Sequence, residues 1–253
     1  RGEIVGVNSA IFSRSGGYQG IGFAVPINMA RKIMFDLIEK GTVSRGWLGV
    51  GIQDVSKDLA KAFKLENIKG SLITGVMEDT PAQKAGIRKG DVVIKINEKL
   101  ILDSNHLRNE IANAGAFEEV EMEIIRDGES IVIKLELGER PKKLSQVKII
   151  PKSDKTNDQF ELLGMTVEEI NKENSRKFDT DLKSGLIIVE VDQLSPAAKT
   201  GISPGMVIQE VERQVVGNIK SFSKIVNDID LDQGILILVS NMNGSRYIFL
   251  QSD

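Results

Sequence analysis

The chain contains no cysteine, so neither a disulfide framework nor a thiolate metal site is available to it. It has a single histidine, too few for a histidine-based metal cluster. That scarcity also bears on nucleophilic catalysis, where an imidazole is the usual base for a serine hydroxyl. Aromatic residues make up 5% of the 253 residues, with one tryptophan among them. No apolar run approaches the roughly 18 residues needed to span a bilayer, so no transmembrane segment is expected. Lys and Arg number 33 against 36 Asp and Glu, and the two signs are interspersed, which speaks against a nucleic-acid-binding surface. What is present, 41% hydrophobic and 27% charged residues, is the composition of a globular protein of about two domains.

The first stretch reads as strand, loop, strand and helix. Ile4-Val5-Gly6-Val7 and Ala10-Ile11-Phe12 are strand-like, Ser13 to Gly22 is a glycine-rich loop, and Phe23-Ala24-Val25 is a second strand closed by Pro26. Asn28 is expected to cap a helix with Met29, Ile33, Leu37 and Ile38 on one face and Gly41 just beyond its end. A stretch of about 40 residues cannot bury a sufficient core by itself. These elements are therefore expected to be the end of a larger unit.

The strongest internal signal is a repeat. Thr80-Pro81-Ala82-Gln83-Lys84-Ala85-Gly86-Ile87 returns as Ser195-Pro196-Ala197-Ala198-Lys199-Thr200-Gly201-Ile202. The same spacing carries Leu48-Gly49 onto Leu163-Gly164, Phe63 onto Phe178, Gly70 onto Gly185, Leu107 onto Phe222 and Ile111 onto Val226. One spacing explaining all of these pairs implies two copies of one fold. In each copy Thr80 or Ser195 followed by Pro starts a short helix, Gly86 or Gly201 ends it, and Gly90 or Gly205 turns the chain into a strand. A longer helix follows, Ser104 to Ala114 or Ile219 to Asn227, and then two strands joined by hairpin turns at Arg126-Asp127-Gly128 or Met242-Asn243-Gly244. Between the copies, residues 141–158 are rich in Lys, Ser, Asp and Asn and read as a linker about which the modules are expected to reorient.

Within the first copy, Leu48-Gly49-Val50 offers successive backbone N–H groups that Gly49 lets curve around an anion such as a carboxylate. Gly51-Ile52 beyond it is placed to pair with an added peptide strand. This loop resembles the carboxylate-binding loop of PDZ domains, and the element order is that of a circularly permuted, bacterial-type PDZ domain. The whole chain resembles the C-terminal part of an HtrA/Deg-type serine protease. The fold class expected is mainly β with α: the end of a chymotrypsin-like β-barrel over residues 1–43, a first PDZ domain over 44–140, the linker, and a second PDZ domain over 159–253.

The resemblance implies a peptide groove in the first module made by Arg45, Trp47, Leu48, Gly49, Val50, Gly51, Ile52, Leu107, Arg108 and Ile111. The matching set in the second is Leu163, Gly164, Met165, Val167, Phe222 and Val226, with bulkier helix positions that narrow or close it. Asn8, Ser9 and Ala10 look like the strand that pairs with a substrate backbone, and Gly20, Ile21 and Gly22 like the loop lining the primary specificity pocket. An isoleucine there favours small or medium apolar side chains. The catalytic Ser, His and Asp of the family are expected upstream of Arg1. His106 lies in a PDZ helix and Ser13-Arg14-Ser15-Gly16-Gly17 only mimics the family's nucleophile motif, so no triad is expected here. Neither a metal nor a cofactor is expected.

The family further implies an ATP-independent endopeptidase, often also a chaperone, of the bacterial periplasm. Its partners are unfolded or misfolded proteins and C-terminal peptides, and it assembles as a trimer or higher oligomer. A tandem-PDZ adaptor or holdase without proteolysis is the alternative left open.

Overall fold

The structure is a computed structural model that describes residues 1–13, 17–41, 43–65, 68–139, 159–231 and 233–251. The expected linker lies outside the described residues. In the N-terminal unit, β1 (Gly6–Ile11) pairs antiparallel with β2 (Gly22–Pro26), with an irregularity between Asn8 and Ala10, and α1 (Ile27–Lys40) follows directly. The helix starts earlier than the sequence suggests. Its N-cap is Pro26, without any side-chain cap, and Asn28 falls inside the first turn. Proline fixes its own φ near the helical value and lacks the N–H that a helix start would leave unpaired, so it ends the strand and seeds the helix. The other end is as expected: Gly41 at φ 69° donates its N–H to the Leu37 carbonyl at 3.1 Å.

The first module runs through β3 (Gly46–Trp47), β4 (Val50–Asp54), α2 (Lys57–Ala62), β5 (Ser71–Val76), α3 (Pro81–Lys84), β6 (Val92–Ile96), β7 (Lys99–Leu100), α4 (Ser104–Ala114), β8 (Glu119–Arg126), β9 (Glu129–Glu136) and β10 (Gly138–Glu139). Its sheet has the order β4-β5-β6-β8-β9, with β7 against β6, while β3 and β10 pair as a separate ribbon. The second module repeats this with β11 (Gln159–Leu162), β12 (Met165–Glu169), α5 (Lys172–Lys177), β13 (Leu186–Val191), α6 (Pro196–Lys199), β14 (Val207–Val211), β15 (Gln214–Val215), α7 (Ile219–Asn227), β16 (Ile235–Asn241) and β17 (Gly244–Leu250). Its sheet order is β11-β12-β13-β14-β16-β17, with β15 against β14.

Local chemistry accounts for the repeat. The hydroxyls of Thr80 and Ser195 accept the N–H groups of Gln83 and Ala198, at 3.4 and 3.2 Å, and so cap α3 and α6. Gly86 and Gly201 sit at φ 76° and 77°, where a glycine carries no steric penalty. The sequence reading overlooks α2 and α5, which Ser56 and Asn171 cap. The two copies also differ beneath the surface. In the first, the Asp91 carboxylate is 1% exposed and takes two hydrogen bonds at 2.7 Å from the Arg126 guanidinium, which raises the arginine pKa. Met206 occupies the corresponding position in the second.

Each module has its own core. Leu48, Ile73, Leu107, Ile111, Met122 and Ile124 are among the buried residues of the first; Met165, Val167, Ile188, Phe222, Ile237 and Leu250 are among those of the second. A third buried cluster belongs to both. Val55, Leu59, Phe63, Leu72 and Val92 of the first module pack with Leu236, Leu238 and Tyr247 of the second. The Phe63 and Tyr247 rings meet edge to face at 5.2 Å, and Arg213 lies over the Phe63 ring at 5.6 Å while its guanidinium pairs with Asp127 at 2.6 Å. Phe63 and Tyr247 thus bury their rings against each other's module, a contact between the copies that the composition of residues 141–158 does not announce.

Candidate functional site

The loop Leu48-Gly49 is fixed from behind. Its two carbonyls accept hydrogen bonds from the start of α3 and the residue after β5: Ala82 N–H to Leu48 O at 3.0 Å and Met77 N–H to Gly49 O at 2.9 Å. Among the described residues, the N–H groups of Leu48 and Gly49 donate to no acceptor. Gly49 sits at φ 82°, and a Cβ there would fall on the Thr80 side chain, so only glycine fits. Leu48 itself is buried at the edge of the core. Directly after the loop comes β4, which pairs with β5 on one side and ends the sheet on the other. A tethered loop with unused amides that feeds an open strand edge is equipped to hold a chain end and to extend the sheet with it.

The other groove residues are distributed around this loop. Val50 and Ile52 are half-buried on β4, Gly51 packs close to Thr74, and Leu107 and Ile111 on α4 belong to the core beneath. Arg45 and Arg108 meet at a cavity of about 570 Å³ between α1 and α4, which Lys32, Asp36 and Asn109 also line. Trp47 lies beside a second cavity, of about 560 Å³, with Pro81, Phe117 and Leu135. Gly46 is a site residue that the sequence reading passed over. A Cβ there would strike the carbonyls of Ile111 and Gly115 at the end of α4, so glycine is what lets β3 approach that helix.

In the second module Met165, Val167 and Phe222 are fully buried and Val226 nearly so. Gly164, at φ 79°, repeats the fit of Gly49, here against Ser195, and its carbonyl accepts from Asp192 N–H at 2.8 Å. The edge of β12 is different from that of β4, because β11 pairs along it from Gln159 opposite Glu168 to Leu162 opposite Met165.

Near the N-terminus, Asn8, Ser9 and Ala10 lie on β1, where the Ser9 hydroxyl donates to the Phe23 carbonyl at 3.3 Å. Gly20, Ile21 and Gly22 come back toward β1 through Phe12 N–H to Ile21 O at 3.1 Å, and Ile21 is half exposed. His106 accepts from the Leu102 N–H at Nδ1 and stands 3.8 Å from Glu110 at Nε2, and no serine hydroxyl among the described residues is bonded to it.

The capped short helix, the glycine-fixed loop and the strand edge it opens onto define a PDZ-type peptide-binding module, and residues 46–137 match the family described as PDZ domain. Along nearly its whole length the chain is homologous to DegP-like serine endoproteases. It is 37% identical over 247 residues to the probable periplasmic serine endoprotease DegP-like of Pseudomonas fluorescens, covering 98% of this chain and 51% of that one. The protein of the same description from Chlamydia trachomatis is 36% identical over 253 residues, covering 100% of this chain and 48% of the relative. Among solved structures, the HtrA-type protease AlgW with decapeptide is 37% identical and overlaps 56% of this chain and 44% of its own, with a TM-score of 0.48. The chain spans about half the length of the curated relatives it matches. Its role is protease-associated: to bind peptide and to regulate. No helix among the described residues is long and apolar enough to cross a membrane.

Proposed function

We propose that this chain is the substrate-binding and regulatory part of an ATP-independent serine endopeptidase and chaperone for periplasmic protein quality control. Its first PDZ module captures the exposed C-termini of unfolded proteins. The observation that carries this is the pair of unused amides at Leu48 and Gly49 beside the open edge of β4. A terminal carboxylate takes hydrogen bonds from the loop, and the residues before it pair with Val50-Gly51-Ile52 as an added strand. Each N–H bond to the ionised carboxylate contributes about 1.5–3 kcal/mol. The N-terminal unit is a remnant of the substrate cleft, with Asn8-Ser9-Ala10 beside the substrate backbone and Ile21 at the specificity pocket. Exposure of apolar residues on β1, β2 and α1, Ile11, Phe23 and Ile38 among them, fits elements that pack against the rest of a protease domain. The Ser-His-Asp machinery belongs to that remaining part, so this chain alone binds without cutting. The parent assembles as a trimer or higher oligomer.

The test is a titration of the chain with peptides ending in a free apolar residue and with their amidated counterparts. Amidation is expected to weaken binding at least tenfold, about 1.4 kcal/mol. Equal affinity for the two forms would remove the carboxylate role from Leu48–Val50. Incubation with casein is expected to release no peptides, and cleavage blocked by a serine-directed reagent would overturn the binding-only reading.

A further inference from the structure

We infer that the groove of the second module carries an internal ligand, strand β11, and that this groove takes an outside peptide of the apolar-x-apolar kind only after β11 has left it. The inference rests on the PDZ reading of the two modules. Its starting point is the different use of two equivalent edges. β4 in the first module pairs on one side only, whereas β12 pairs with β13 on one side and with β11 on the other. The chain direction of β11 is that of a captured C-terminal peptide: antiparallel to β12, with its last residue, Leu162, arriving at the Leu163-Gly164 loop.

The turn explains why the second module does this and the first does not. Leu163 and Gly164 have φ of 47° and 79°, both positive, as a two-residue type I′ hairpin requires, and that turn type matches the twist of the strands it joins. At the corresponding pair in the first module Gly49 has positive φ and Leu48 does not, and the chain ahead of Leu48 pairs with β10 instead of folding back on β4.

The side chains of β11 fill the place of ligand side chains. The Phe160 ring meets Phe222 of α7 edge to face at 5.4 Å, and Leu162 is buried in the second core, while Glu161 between them is exposed. Residues two apart share one face of a strand, so Phe160 and Leu162 define the pattern the opened groove accepts. A competitor faces an occupant joined to its own site by two residues, at an effective concentration on the order of millimolar or above. The apparent affinity of the second module for peptide is lowered by the fraction of chains in which β11 remains in place.

The experiment uses the full chain, labelled with nitrogen-15, and a peptide ending Phe-Glu-Leu with a free carboxylate. In the unaltered chain one peptide is expected per chain, with amide shifts at Leu48–Ile52 and none at Thr166, Val167 or Phe222. In F160G, and in the milder F160A, a second peptide is expected to bind with at least tenfold higher apparent affinity for the second module, shifting Thr166 and Val167. Two peptides bound per unaltered chain, or variants in which β11 has detached while Thr166 and Val167 remain unmoved by peptide, would overturn the inference. A measurement without variants guards against misfolding. Amide exchange across the β11–β12 pair is expected to be at least tenfold faster than across β12–β13, and equal rates would show that β11 is a fixed part of the sheet. Absence of peptide binding at Leu48–Ile52 would instead count against the proposed function and leave the exchange comparison standing.

Discussion

The side-chain amide of Gln53, on β4 of the first module, makes both halves of a strand-like pair with the backbone of Tyr247, on β17 of the second: it donates to the Tyr247 carbonyl and accepts from the Tyr247 N–H, each at 2.9 Å. β17 is the last strand of its sheet, so one side chain supplies the partner that an edge strand otherwise lacks. Beneath this pair lies the cluster shared by Phe63, Leu72, Leu236 and Leu238. The Q53A variant is expected to leave both backbone groups of Tyr247 without that partner, at about 1–3 kcal/mol. The modules should then tumble more independently, read as shorter rotational correlation times by NMR relaxation. Unchanged correlation times would assign the coupling to the apolar cluster alone.

Tyr247 also provides a pH lever. Its hydroxyl donates to Glu210 at 3.0 Å, and Glu210, 5% exposed, is paired in turn with Lys89 of the first module. Burial first, and then the Glu210 carboxylate, push the phenol pKa far above its ordinary value of 10.0. The folded protein thus holds the proton more tightly than the unfolded one does. The stabilisation is complete below about pH 10 and declines as pH rises beyond it, because the unfolded chain loses its proton first. Thermal unfolding measured from pH 8 to 11 should show this decline, and the decline should be smaller in Y247F.

Breaking the buried pair in the first module should destabilise that module. Asp91 accepts from the Arg126 guanidinium at both oxygens and from the Arg88 N–H at 2.8 Å. D91A leaves the guanidinium without this partner and is expected to cost about 3–5 kcal/mol. Urea unfolding followed by residue-resolved NMR should place the loss in residues 46–137 while the second core melts later. A uniform change across both modules would mean that the shared cluster makes them unfold together.

The loop glycine offers a sharper probe. G49A places a Cβ against Thr80 in a backbone conformation that costs a non-glycine residue about 1–2 kcal/mol. Peptide affinity is expected to fall at least tenfold with a smaller change in melting temperature. G164A, strained in the same way against Ser195, should leave that affinity unchanged, since the proposed capture site is in the first module.

Much of the architecture was legible in the residues. The Thr-Pro and Ser-Pro caps, the positive-φ glycines after them and the constant spacing between the copies announce two modules of one fold, because each depends only on neighbours within a few residues. The helices α2 and α5 were less visible, being six residues long with only a cap to mark them. The site was half legible: Gly49 could be picked out as a loop glycine, but the reason it must be glycine, the Thr80 side chain behind it, lies far along the sequence.

Local chemistry by itself therefore determined the modules, their caps and the glycine-fixed loop between β3 and β4. Tertiary structure decided what each strand edge meets. Whether β4 stays open, whether β11 closes over β12 and whether Gln53 completes β17 depend on contacts between residues remote in the chain. Backbone donors and acceptors on a strand edge are alike in every sequence, so only the folded arrangement determines their partners.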